Sequence, residues 1–326
     1  MLSLKVFAFS FAAALIALAS FSVILPPQDD FNPSNPYWNG LTEFSRVANA
    51  SIMDAAVFKP DPKSTVIFVI GPSVNITGER VEAWRKYVED GGVLVIMDET
   101  GIVNRALEAL GLNVKVEGHM MLDAVFYYNS WRIPKIMDFR GALARNISEV
   151  IMDVPSILNL TGGFRILAYS SRFSFLDLDG DGEPSSGEPA GPFPVAAEIQ
   201  YGGGRIILFS DSSLFINGVI GGNLQLLKNI LDGRRAILDS GVWSKTLHSQ
   251  FRGAVLLAYS FISQPEIKYS LTAAALIALY MLAAGGFKPK VEDEVKTLIA
   301  KHPDWDMRLL EMLREARGKI EQQPYE

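Results

Sequence analysis

Residues 65–97 read TVIFVIGPSVNITGERVEAWRKYVEDGGVLVIM, and this stretch decides the fold class. Residues 65–70 and 93–97 are unbroken apolar runs of strand length, without the alternation of a half-solvated strand. Strands buried on both faces belong to parallel sheets covered by helices. Between them, residues 77–90 carry Val81, Trp84, Tyr87 and Val88 at helical spacing, and Gly91-Gly92 stops the helix. Strand, helix and strand make one βαβ unit.

The alternation extends in both directions. Residues 38–50 read as a helix and 52–58 as a strand. Beyond the unit, 103–110 reads as a helix closed by Gly111, and 113–116 as a short strand. Residues 119–159 mix short strands and loops and read as an insertion. Residues 164–170, 195–200 and 205–209 read as strands, with Gly202-Gly203-Gly204 as a hairpin turn, and 224–231 as a helix. The glycine triplet is no phosphate loop, because a strand follows it. The expected fold is α/β, a mostly parallel sheet with helices on both faces over residues 38–240, after a Pro- and Asn-rich linker at 26–37.

Two apolar runs flank this region. Residues 6–25 (VFAFSFAAALIALASFSVIL) follow Lys5, and residues 269–286 (YSLTAAALIALYMLAAGG) precede Lys288 and Lys290. About 20 apolar residues cross the hydrocarbon core, and about 18 make a candidate. The first run reads as an uncleaved anchor or as a signal peptide with a small-residue site at Ala17-Leu18-Ala19. Both readings export the domain. The flanking lysines place the N-terminus and the tail on the cytoplasmic side, with Lys268 on the opposing flank. Residues 241–268 read as a juxtamembrane helix. Residues 287–326 read as a helical tail that lies on the bilayer or offers a docking surface.

The sequons at Asn49, Asn75, Asn146 and Asn159 all lie between the two runs, which makes them glycosylation candidates. The chain has no cysteine, so an exported domain relies on its core. The net charge of −6 gives no basis for nucleic-acid binding.

Residues 177–188 read DLDGDGEPSSGE and match the twelve-residue calcium loop. Asp177, Asp179 and Asp181 supply carboxylates at positions 1, 3 and 5, and Gly182 makes the turn at 6. Glu183 offers its carbonyl at 7, Ser185 stands at 9, and Glu188 closes the loop at 12. The flanks are strand-like rather than helical, so calcium would stabilise a loop rather than drive a helix pair. An acidic turn without metal is the plainer alternative.

Ligands of open parallel sheets bind beyond the carboxyl ends of the strands. Ser73, Asp98 with Glu99, and Asp211 with Ser212 stand at three such ends and are the candidates for one crevice. The plain alternative is that each caps the helix that follows. A nucleophilic enzyme lacks support, since Ser212 needs a base and only His119 and His248 lie in the exported part, neither in a recognisable motif.

Three stretches carry a family resemblance: TVIFVIGPS with VEAWRKYVEDGGVLVIMDET, the loop SFLDLDGDGEPSSGEPAGPFPVAAE, and GGGRIILFSDSSLFINGVIGGNLQLLKNIL. Together they resemble the domain of unknown function 4350 family of archaea and bacteria, over residues 35–239. The resemblance implies a flavodoxin-like sheet akin to class I glutamine amidotransferases, without their activity, since the nucleophilic Cys is absent. It also implies an envelope-associated assembly, with MoxR-type ATPases as neighbours. The acidic, histidine-rich stretch of some bacterial relatives corresponds here to residues 237–243, which lack the His. Three functions follow as expectations: a membrane-anchored binding or scaffold protein with a calcium-stabilised loop, an extracytoplasmic hydrolase-like enzyme using the strand-end crevice, or a structural subunit of a membrane complex.

Overall fold

The computed structural model describes residues 2–283 and four further positions between 306 and 315. The expected tail at 287–326 therefore lies outside the described residues, those four positions apart. Two compact units divide the chain, Met1–Leu256 and Leu257–Glu326.

In the first unit, an eight-stranded sheet is built from β1 (Ser51–Met53), β2 (Thr65–Ile70), β3 (Val93–Met97), β4 (Asp138–Phe139), β5 (Arg165–Tyr169), β6 (Pro194–Tyr201), β7 (Gly204–Phe209) and β8 (Arg235–Asp239). The spatial order is β1-β8-β2-β3-β7-β6-β5-β4. The first five in that order pair in parallel. The remaining pairings are antiparallel, beginning with the hairpin of β6 on β7, where Tyr201 faces Gly204. The parallel core is not in the flavodoxin order expected from the resemblance, 2-1-3-4-5. Here the last strand, β8, inserts between the first two, giving 1-5-2-3-4.

The apolar runs are buried on both sides as their composition requires. Val66, Phe68 and Ile70 of β2 face one core with Phe44 of α2 (Thr42–Val47) and Leu226, Leu227 and Ile230 of α5 (Ile220–Leu231). Ile67 and Val69 face the other core with Val81 and Trp84 of α3 (Gly78–Glu89) and Ala106 and Leu107 of α4 (Asn104–Ala109). Strand alternation thus serves two helical layers at once. Thr77 caps α3 by accepting from Arg80 N.

Several bounds differ from expectation for local reasons. The helix expected at 38–50 begins only at Thr42, because Trp38 and Gly40 give their carbonyls to Gly218 and Asn217. The strand expected at 52–58 ends at Met53, where Val57 and Phe58 turn back to the Asp54 carbonyl. The short strand Val114–Val116 leaves the main sheet and pairs with Leu158–Leu160. Within the insertion, Met120–Asp123 pairs with Ser174–Asp177, and Lys135–Ile136 with Val150–Ile151.

At the N-terminal end, α1 (Leu2–Ile24) contains Val6–Ile24, the one stretch among the described residues long and apolar enough to cross a membrane. Two such spans are expected from sequence. The second expected run is helical as far as it is described, in α7 (Pro265–Ala283), and residues 284–286 fall outside. Before it comes α6 (Leu247–Ile262).

Candidate functional site

The strand-end residues do gather, in two tiers. Ser73, Asp98 and Glu99 line a common cavity of about 650 Å³ with Asp29 and Asp30 of the linker. Asp211 and Ser212 are not on its wall. They are fully buried behind it, where Ser212 N donates to Glu99 Oε2 at 2.8 Å.

Each polar group in the cluster already has a structural task. Asp98 accepts from Thr100 N at 2.8 Å and from Val103 N at 2.9 Å, holding the turn into α4. Ser212 Oγ donates to the Met97 carbonyl at 3.0 Å and also lies in reach of the Glu99 carboxylate. Asp211 accepts from Asp153 N at 2.9 Å and Ser213 N at 2.6 Å. Ser73 Oγ accepts from Ser244 N at 2.8 Å. Trp243 Nε1 donates to the Ile70 carbonyl at 2.6 Å. Residues 242–244 therefore strap across the end of β2.

Three carboxyls at this sheet end, Glu99, Asp211 and Asp153, are shifted upward. Burial pushes Glu99 up, against hydrogen bonds from Ser212. Burial, then the charge of Glu99, pushes Asp211 well above the ordinary carboxylate range. Burial alone raises Asp153. Like charges out of water favour the protonated form.

One residue of this sheet end escapes the sequence reading. Asp239 closes β8 with 0% exposure. It pairs with Arg80, accepts from Trp84 Nε1 at 2.9 Å, and takes the Ala55 and Gly241 amides at 3.2 Å. Arg80 also reaches Asp54 at 3.0 Å. The available signal is a recurring pattern, since VLVIMD, RIILFSD and RAILD are all apolar strands running into an aspartate.

The acidic loop forms a separate site. Asp177, 5% exposed, ends its strand and accepts from Gly180 N at 2.7 Å and Gly182 N at 3.2 Å. Glu188 folds back to accept from Leu178 N at 2.7 Å and Ser185 N at 2.9 Å. Gly182 takes the left-handed backbone that the sharp turn requires, at φ 77°. Carboxylate oxygens of Asp177, Asp179 and Glu188 lie within 4.8 Å of one another. Asp181, the third expected carboxylate of the loop's first half, is not in that group. Asp181 Oδ1 instead accepts from Glu183 N at 2.7 Å. Hard oxygen donors at this spacing suit a divalent cation.

All four sequon asparagines are exposed. Asn159 Nδ2 already donates to Glu117 Oε1 at 2.9 Å.

A family model, described as "Domain of unknown function (DUF4350)", matches residues 33–231. The chain belongs to this family. The match spans β1 through α5 and includes both the strand-end residues and the acidic loop, but stops short of β8 and Asp239. No protein of curated function matches the sequence. Among solved structures, the mmIFT52 N-terminal domain is 14% identical with a TM-score of 0.41, over 51% of this chain and 75% of that one. A β-galactosidase from Bacillus circulans sp. alkalophilus is 14% identical with a TM-score of 0.34, over 54% of this chain and 24% of that one. A cold-adapted β-galactosidase from Rahnella sp. R3 is 14% identical with a TM-score of 0.35, over 55% and 24%. The chain spans about a quarter of the length of these galactosidases. Likenesses this distant carry no conclusion about function.

Proposed function

We propose that this DUF4350 chain is a membrane-anchored, extracytoplasmic binding or scaffold protein whose acidic loop is held in place by calcium. The grouping of the Asp177, Asp179 and Glu188 carboxylates carries this reading. Three carboxylates that close repel one another unless a cation or protons intervene. Extracellular calcium modules work at dissociation constants of about 10⁻⁴–10⁻³ M, which suits a loop exposed to plentiful calcium. In this reading α1 is the anchor or signal, residues 269–286 are the second span, and the lysines beyond it keep the tail in the cytoplasm.

Binding is favoured over hydrolysis by what the strand-end hydroxyls do. Ser212 donates to a backbone carbonyl, while Ser73 accepts from the Ser244 amide and lies 3.2 Å from the Ser244 hydroxyl. Catalysis by an activated serine needs a hydroxyl that a substrate can reach, and Ser212 has no exposed surface. A place in a larger envelope assembly, including one with a MoxR-type ATPase, fits the same anchored layout.

The test is thermal unfolding of the full chain in detergent, with calcium or with a chelator. Calcium at about 100 times its dissociation constant stabilises by about 2.7 kcal/mol, and a clear rise in melting temperature is expected. Asp177→Asn should abolish the rise. An identical melting temperature with calcium and with chelator would refute the calcium reading.

A further inference from the structure

Four charged side chains share one cavity without pairing. Asp29 and Asp30 of the linker, and Lys245 and Arg252 from the segment after β8, line a cavity of about 350 Å³ beside the strand-end crevice. None of the four belongs to an ion pair among the described residues. Arg252 is half-buried, and its Nε is cut off from solvent with no acceptor in reach among the described residues. A desolvated guanidinium donor left unsatisfied is costly.

The two acids are differently placed. Asp29 accepts from Ser249 Oγ and from Asn32 Nδ2 at 3.2 Å, and Asp30 accepts from Asn39 Nδ2. Burial pulls the Asp29 carboxyl upward, but hydrogen bonds from Ser249, Thr246 and Asn32, with His248 nearby, outweigh it and hold the group below its ordinary range. It is therefore ionised at neutral pH, and each acid keeps lone pairs for a further donor. A simple anion in this cavity would satisfy Arg252 and Lys245 but would meet two carboxylates. A zwitterion satisfies both pairs.

The position in the chain narrows the source. Pro27, on the cavity wall, follows shortly after α1, and Arg252 lies on α6, which leads into α7. The segments running to both apolar helices thus meet at this cavity. Trp243 and Leu256 give it an apolar side. We propose that it binds the phospho-amine headgroup of a membrane lipid, with Arg252 and Lys245 on the phosphate and Asp29 and Asp30 on the ammonium. This assignment rests on the membrane-anchored reading above.

The full chain, purified in detergent, is titrated calorimetrically with dihexanoyl phosphatidylethanolamine, dihexanoyl phosphatidylglycerol and inorganic phosphate. The ethanolamine lipid is expected to bind at least about tenfold more tightly than the other two, a difference of about 1.4 kcal/mol. Arg252→Gln, which loses a phosphate contact, should weaken binding of the ethanolamine lipid at least about tenfold. Lys245→Gln, at an exposed position, is the second variant if the first does not fold by circular dichroism. Equal binding of all three ligands, tighter binding of inorganic phosphate, no binding at all, or unchanged binding in the folded variants would overturn the proposal. Alkaline extraction of membranes carrying the chain tests the anchored reading separately. A chain released by that wash refutes anchoring, whereas a retained chain without headgroup preference refutes only this site.

Discussion

Asp239 shows what one carboxylate at a strand end can hold. It is fully buried, and with Arg80, 8% exposed at its side chain, it forms an ion pair inside the sheet end. Breaking a buried pair leaves an uncompensated charge, at a cost of about 3–5 kcal/mol. Asp239→Asn is therefore expected to lower unfolding free energy by about 3 kcal/mol, the low end of that range because Asp54 still faces Arg80. Urea denaturation measures it, and a loss below about 1 kcal/mol would show that the pair is not the anchor it looks to be. The carboxyls Glu99, Asp211 and Asp153 act in the other direction. Their folded pKa values are raised, so the native state holds more protons than the unfolded chain above the ordinary carboxylate range near 4. Stability then falls as pH rises through the raised values, and recovers on acidification. Asp211→Asn should flatten that part of the profile in denaturation series from pH 5 to 8. An equally steep profile in the variant would mean that these groups do not titrate as their burial requires.

At the level of the element, the sequence is readable where composition is extreme. The strands β2 and β3 appear at their expected bounds because five consecutive apolar residues in each leave no other placement. The hairpin between β6 and β7 was also legible in its glycine triplet, but not the reason for it. A Cβ on Gly204 would sit 2.0 Å from the Gly92 carbonyl oxygen and 2.5 Å from that of Val88. That backbone contact is non-local, and Gly204→Ala is expected to destabilise by about 2–3 kcal/mol in thermal or urea unfolding, as overpacking does. A neutral effect would mean that the hairpin can shift away from α3. The strand β8 escaped notice because RAILD has only three apolar residues between charges, and nothing local says that it lies between β1 and β2. The insertion was legible only as irregular, since its two- to four-residue ladders carry too little pattern to locate partners. For the candidate sites, residue type and order were visible in sequence. What those residues bond to was not, and that separates the turn held by Asp98 from the grouping of Asp177, Asp179 and Glu188.

For the whole molecule, both connections to apolar helices meet near the strand-end cavity, while the acidic loop stands apart from it on the strand Ser174–Asp177. In the proposed reading, one part of the domain would be tethered while an ion shapes the loop. The central proposal is that the acidic loop is a calcium site. Isothermal titration of the full chain with calcium tests it most directly. The account predicts one site per chain with a dissociation constant of about 10⁻⁴–10⁻³ M, lost in both Asp177→Asn and Glu188→Gln. No heat of binding in the unaltered chain, or the same heat in the two variants, would contradict it.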